Sequence, residues 1–230
     1  MLDLDLAGRL HQRWVHARRV RVLADRLGAL LPPGARVLDV GAGDGRLAAR
    51  LATTRPDLQV RCVDVKIRAL SAFPVERFDG KSLPFDDGTF DAGLLVDVLH
   101  HADDPLALLA EVQRVATMVL VKDHALEGWL ADPTLRFMDW VGNARHGIPL
   151  PFRYWTRSAW LAAFEGLGLR VRSWQTALAM YPWPATWVFD RGLHFVAALE
   201  PVGGGQGVKM VEPSGIEPPT SALRTQRSPS

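Results

Sequence analysis

The chain has 230 residues, 48% of them apolar and 23% charged, with a formal net charge of +2. That length suits one α/β domain around one buried core, and arginines spread along the chain exclude the concentrated basic patch of a nucleic-acid binder. A single cysteine, Cys62, excludes an internal disulfide, and no Cys/His spacing fits a metal site, so a reducing cytoplasm and no bound metal are expected.

The start, Met1-Leu2-Asp3-Leu4-Asp5, is acidic, and no apolar run approaches the roughly 18–20 residues of a membrane span. A soluble chain is therefore expected. From 6 to 31, Leu10, Trp14, Val20, Leu23, Leu27, Leu30 and Leu31 recur at helical spacing until Pro32-Pro33-Gly34 stops the run. This predicts an amphipathic helix with room for one break. Then follow a strand at 35–40, a helix at 45–54, strands at 58–65, 75–78 and 90–98, a helix at 105–116 and a strand at 117–122. Such alternation implies a parallel sheet.

Thr156 is the expected N-cap of a further helix, ended by Gly166 and Gly168. Strands at 169–178 and 193–199 show no helical segment between them and should pair antiparallel. The stretches 127–155 and 179–192 read as long irregular loops, and loops of that length in a compact domain are usually functional. From 202 to 230 the composition turns to Gly, Pro, Ser, Thr and Arg, as in a disordered tail. Within it Gly215-Ile216-Glu217-Pro218 can be encoded by GGATCGAACC, whose reverse complement looks like a transfer-RNA T-arm. Read-through into an antisense transfer-RNA gene is the corresponding expectation.

The informative turn is Val37-Leu38-Asp39-Val40-Gly41-Ala42-Gly43-Asp44-Gly45 after the first strand. Glycines there let backbone approach a ligand without Cβ clashes at the switch point of a doubly wound sheet. A dinucleotide fingerprint would be Gly-x-Gly-x-x-Gly, but Arg46 stands at its third glycine. Three further segments surround the turn: Val63-Asp64-Val65 ends the second strand, Asp79-Gly80 precedes Leu83-Pro84-Phe85-Asp86-Asp87-Gly88, and Asp97-Val98-Leu99-His100-His101 ends the fourth.

In this order the segments resemble the class I S-adenosylmethionine-dependent methyltransferases of the small-molecule type. The resemblance implies a three-layer α/β sandwich with a seven-stranded, mostly parallel sheet whose last strand is antiparallel, a Rossmann-like methyltransferase fold. It implies S-adenosylmethionine as cofactor, its methionine end on Asp39, Gly41, Ala42 and Gly43, its ribose on Asp64 and Val65, its adenine beside Asp79 and Gly80, and Asp97 and Val98 lining the methionine. A carboxylate suits a ribose diol because it accepts two hydrogen bonds. Asp86, Asp87 and Asp91 read as turn and cap residues; the His100-His101 pair reads as packing and capping the next helix, with catalysis as the alternative.

The domain is then expected over 35–201, with lids at 127–155 and 179–192 and the helical segment 1–34 covering the site. The lids hold five of the eight tryptophans, so an aromatic, mainly apolar pocket for a small-molecule acceptor is expected, lined by Trp140, Tyr154, Trp155, Tyr181 and Trp183. His124 is the first candidate for a general base and His146 the second. The competing readings are a cofactor-binding protein without catalysis, a nucleic-acid methyltransferase, disfavoured by the missing Asn/Asp-Pro-Pro-Tyr/Phe signature, and a nicotinamide oxidoreductase, disfavoured by Arg46. Oligomeric state leaves no mark in the sequence.

Overall fold

The computed structural model describes residues 4–143 and 154–203. The first helix, α1 (Leu4–Leu30), is continuous, and its last turns bury Leu23, Ala24 and Leu27. After the Pro-Pro-Gly stop come β1 (Arg36–Val40), α2 (Arg46–Thr54), β2 (Gln59–Asp64), the two-residue β3 (Glu76–Arg77) and β4 (Ala92–Val96). A 3-10 turn at Leu99–His101 leads into α3 (Pro105–Val115), whose first turn is capped by the Asp104 carboxylate accepting from the Leu106 and Ala107 N–H groups. Asp104 thus caps this helix, rather than the histidine pair. The second half holds β5 (Val119–His124), α4 (Ala131–Asn143), α5 (Arg157–Gly166), β6 (Leu169–Gln175), α6 (Ala185–Phe189) and β7 (His194–Pro201).

The sheet order is β3-β2-β1-β4-β5-β7-β6, with β7 antiparallel to both neighbours and the other pairs parallel. Period-two alternation splits the core between the two faces. Val37, Leu94, Leu120 and Val196 pack with Leu23 and Leu27 of α1 and Leu51 of α2, while Leu38, Leu95, Val121 and Phe195 pack with α3 and α5. Three layers result, as expected. Gly93 lets α3 approach, since a Cβ there would lie 2.4 Å from Val112 Cγ1.

Three expectations are corrected. The stretch 127–155 contains α4, which begins with Pro133 in its first turn, where the missing N–H costs no intrahelical bond, and is braced by Arg136 to Asp132 at 2.8 Å. The β6–β7 connection is not helix-free, because it includes the short α6, which buries none of its residues. The fifth strand runs past 122 to His124, so Asp123 and His124 belong to the strand and not to the loop after it. No helix among the described residues is long and apolar enough to cross a membrane.

Parallel pairing of β1, β2, β4 and β5 collects their carboxyl ends on one edge, at Gly41, Asp64, Asp97 and His124. Antiparallel β7 starts on that same edge, with His194 opposite His124. The candidate site is built there.

Candidate active site

At β1 the chain turns through Gly41, Gly43 and Gly45, with φ of 76°, 61° and 70°. Gly41 and Ala42 donate backbone hydrogen bonds to the Val63 carbonyl at 2.8 and 3.2 Å, and Gly43 N–H donates to Asp64 Oδ2 at 2.8 Å. The turn is thereby tied to the end of β2. A Cβ at Gly41 would come within 2.5 Å of Val98 Cγ2, so only glycine lets the turn and the β4 end approach each other. Gly80, in turn, brings its backbone against Val65, where an added Cβ would lie 3.0 Å from Cγ1.

Asp39 is 2% exposed, and its Oδ2 is buried with no hydrogen-bond partner among the described residues. Burial, with Asp64 adding repulsion, pushes its pKa up to about 7. An orphaned carboxylate oxygen beside a glycine cradle fits a ligand that brings its own donor or cation, as the amine of S-adenosylmethionine does. Asp64 accepts from Gly43 and, through Oδ1, from Lys66 N–H at 2.8 Å. Asp79 has committed Oδ1 to Lys81 and Ser82 N–H groups, which lower its pKa, and it stands in solvent.

Asp97 has φ of 57°, a left-handed conformation uncommon outside glycine and concentrated at functional sites. Its carboxylate is clasped by Arg19 of α1 and Lys122 of β5. Burial alone would raise its pKa, yet these two cations hold it well below the usual range. Lys122 is fully buried, with Nζ 3.3 Å from His194 Nδ1, and burial lowers its pKa against the pull of Asp97. The sequence places Arg19 only within the covering helical segment and Lys122 only at the end of the fifth strand. Their separation of over a hundred positions left no local signal for the pair.

On the acceptor side, His100 Nδ1 lies 2.6 Å from Asp123 Oδ1, which also accepts the His124 backbone N–H at 2.7 Å. His100 Nε2 faces Asp139 Oδ1 of α4 across 3.7 Å, and Tyr154 donates its hydroxyl to Asp139 Oδ2 at 2.5 Å. Trp160 of α5 donates its indole N–H to the His124 carbonyl at 2.9 Å, fixing the strand end. His100 is raised, because Asp123 outweighs the burial that opposes it. His124 is pushed down to about 4 by burial and by His100, so its ring is neutral near pH 7 and a weak proton acceptor. His100 was expected to pack; it stands at the centre of the group.

The five expected pocket aromatics divide. Tyr154 lies against the ring of His124 at 5.8 Å and Tyr181 against that of His194 at 5.9 Å, flanking the polar group. Trp155 instead packs on Trp160 at 4.6 Å as part of the core, because the chain entering α5 turns it inward. Trp140 and Trp183 are 58% and 86% exposed. His146 lies outside the described residues. Asp87 and Asp91 take the structural parts expected of them, paired with Arg114 and Arg36.

Sheet order and strand-end geometry define a Rossmann-like fold. Residues 38–117 match the protein family described as a methyltransferase domain. A malonyl-[acyl-carrier protein] O-methyltransferase of Geobacter sulfurreducens is 39% identical over 169 residues, 65% of this chain and 62% of that protein. A 27-O-demethylrifamycin SV methyltransferase of Amycolatopsis mediterranei is 32% identical over 108 residues, 40% of this chain and 39% of that protein. The chain thus spans well under half the length of some of its curated relatives. Among solved structures, a SAM-dependent methyltransferase from Aquifex aeolicus superposes with a TM-score of 0.51 at 20% identity, covering 74% of this chain and 83% of the other. The [4+2]-cyclase SpnF superposes with a TM-score of 0.57 at 19% identity, covering 80% and 82%. These two likenesses are of fold.

Proposed function

We propose that the chain transfers a methyl group from S-adenosylmethionine to a small, partly hydrophobic acceptor. The observation that carries this reading is the glycine cradle at Gly41 to Gly45 with the unpartnered Asp39 oxygen behind it and the Asp64 carboxylate beside it. Asp39, Gly41, Ala42 and Gly43 would hold the methionine end, Asp64 and Val65 the ribose, Asp79 and Gly80 the adenine edge, and Asp97 and Val98 would line the methionine. When bound, the cofactor would supply a methyl group on a sulfonium, an electrophile whose sulfur is a good leaving group for an acceptor's lone pair.

The chain's own contribution is alignment and exclusion of water. Tyr154 and Tyr181 border the acceptor side, and His100, His124 and Asp139 are the groups there that can take or stabilise a proton the acceptor releases. Of the two base candidates, His124 lies in this group and His146 is carried forward from the sequence alone.

Calorimetric titration with S-adenosylmethionine and with NAD tests the cofactor, and labelled methyl incorporation into small molecules of a cell extract tests the transfer. Preferential binding of S-adenosylmethionine, lost in Asp64→Ala, supports the proposal; preference for NAD overturns it. Because a cyclase shares the fold, tight cofactor binding without label transfer would favour a role other than methyl transfer.

A further inference from the structure

The described residues include a cluster that methyl transfer does not require. His100, His124 and Asp139 each offer one ligand atom within 4.8 Å of the others, and all three residues are buried. They come from the turn after β4, the last position of β5 and the middle of α4, with 24 and 15 positions between them, so no spacing in the sequence announces them.

We infer that His100, His124 and Asp139 form a binding site for a divalent first-row transition metal on the acceptor side of the sheet edge. Two imidazoles and one carboxylate make a donor set that suits zinc, iron(II), cobalt(II) or manganese(II) and leaves coordination positions for an outside oxygen. Bonds of about 2.1 Å allow ligand atoms to lie at most about 4.2 Å apart, so the longest edge has to close by roughly half an ångström. Side-chain rotation supplies that.

The neighbours of the ligands are arranged as metal sites require. A ligating histidine usually gives its other ring N–H to a carboxylate, which fixes the tautomer and turns the free nitrogen to the metal. His100 does this: Nδ1 is held by Asp123 Oδ1 at 2.6 Å, and Nε2 is turned to Asp139 Oδ1, 3.7 Å away. Asp139 is itself held by the Tyr154 hydroxyl on its other oxygen at 2.5 Å. Charge points the same way. Arg19 and Lys122 are taken up by Asp97, and among the described residues neither Asp123 nor Asp139 has an arginine or lysine within ion-pair distance. Two buried carboxylates thus stand among imidazoles, with Asp123 Oδ2 unpartnered among the described residues, a negative charge that either a proton on His100 or a divalent ion offsets.

The inference deepens the proposed transfer: an ion in this position would lower the proton affinity of an acceptor oxygen that reached it, and so favour O-methylation. The site itself does not depend on that reading. The test uses the full chain, stripped with chelator, reloaded with cobalt(II) or zinc(II), desalted and analysed for metal content, with the visible absorption of the cobalt form as a second readout. One ion per chain is expected, bound about 100-fold more weakly in His100→Gln and Asp139→Asn and about 10- to 100-fold more weakly in Asp123→Asn. Asp139 lies on a lid helix, so Asp139→Asn answers the question even if His100→Gln fails to fold. A chain that takes up no ion, or that keeps it in the Asp139→Asn protein, overturns the site, leaving a proton in its place. S-adenosylmethionine titrations on the same samples separate the two claims: a metal-free chain that binds cofactor sinks only the metal, and a metal-loaded chain that ignores cofactor sinks only the transfer.

Discussion

A carboxylate sealed at the end of a strand, as Asp39 is, ties stability to pH. Its ordinary pKa of 3.8 applies unfolded, and about 7 applies folded. The folded chain therefore binds the extra proton between those values, and its stability advantage is complete below pH 4 and lost as pH rises through 7. Three units correspond to a loss on the order of 4 kcal/mol. Urea unfolding at pH 5 and pH 8 should show about two of these units, roughly 3 kcal/mol, in the cofactor-free chain and not in Asp39→Asn; equal pH slopes in the two would refute it. The same group predicts a cofactor effect of opposite sign. A cationic amine prefers the ionised carboxylate, so affinity for S-adenosylmethionine should rise up to tenfold per unit from about pH 5.5 to 7 in the wild type and stay flat in Asp39→Asn.

Asp97 poses the reverse case, a charge that its neighbours cannot spare. Asp97→Asn would leave the Lys122 ammonium, with no exposed surface, without its ion-pair partner and beside Arg19 and His194. Breaking one side of a buried pair costs about 3–5 kcal/mol. Adding Lys122→Met should recover much of that, and denaturant midpoints for the two single variants and the double one measure the coupling. Simple additivity of the two losses would mean that the clasp is not what holds Lys122.

Among the elements, α5 shows how a local signal reaches the site. Thr156 caps it, its hydroxyl accepting the Ala159 N–H at 3.2 Å, and one turn later Trp160 holds the His124 carbonyl. Thr156→Ala should cost about 1 kcal/mol in thermal or urea unfolding. An unchanged midpoint would mean that water replaces the cap without loss. That cap was legible because capping is written in adjacent residues. So were the strands, whose apolar runs and turn residues act locally, and the glycine turn with Asp39 and Asp64 after two of them. The helix α4 was not: its sequence mixes Pro133, Thr134 and Gly142 with aromatics on both sides, so that Leu135 is buried while Phe137 and Trp140 are exposed. No single apolar stripe marks it. The pairing of His100 with Asp123, and of Asp97 with Arg19 and Lys122, depends on strand order and register, which a linear reading does not contain.

At the scale of the whole molecule, the first helix and the β6–β7 connection fasten each other across the sheet edge. Leu23 and Leu27 share a core with Leu178 and Met180, while Arg18 and Arg26 donate to the carbonyls of Ala179 and Ala177, both at 3.2 Å. Arg19 adds the ion pair to Asp97, so one helix carries both a wall of the core and a clasp on the site. The two roles make different demands. Deleting residues 1–34 removes Leu23, Leu27 and Leu31 from the core, and at roughly 2–5 kcal/mol for each leucine the loss matches the whole 5–15 kcal/mol of a typical domain. The truncated chain should therefore lose cooperative unfolding by circular dichroism. Arg19→Gln leaves those leucines in place and Lys122 still paired with Asp97, so it should keep a cooperative transition. Its effect should fall on the edge itself, as faster amide exchange in residues 176–190 and weaker binding of S-adenosylmethionine. If Arg19→Gln binds cofactor as the wild type does and its exchange is unchanged, α1 is a wall alone, and Asp97 relies on Lys122.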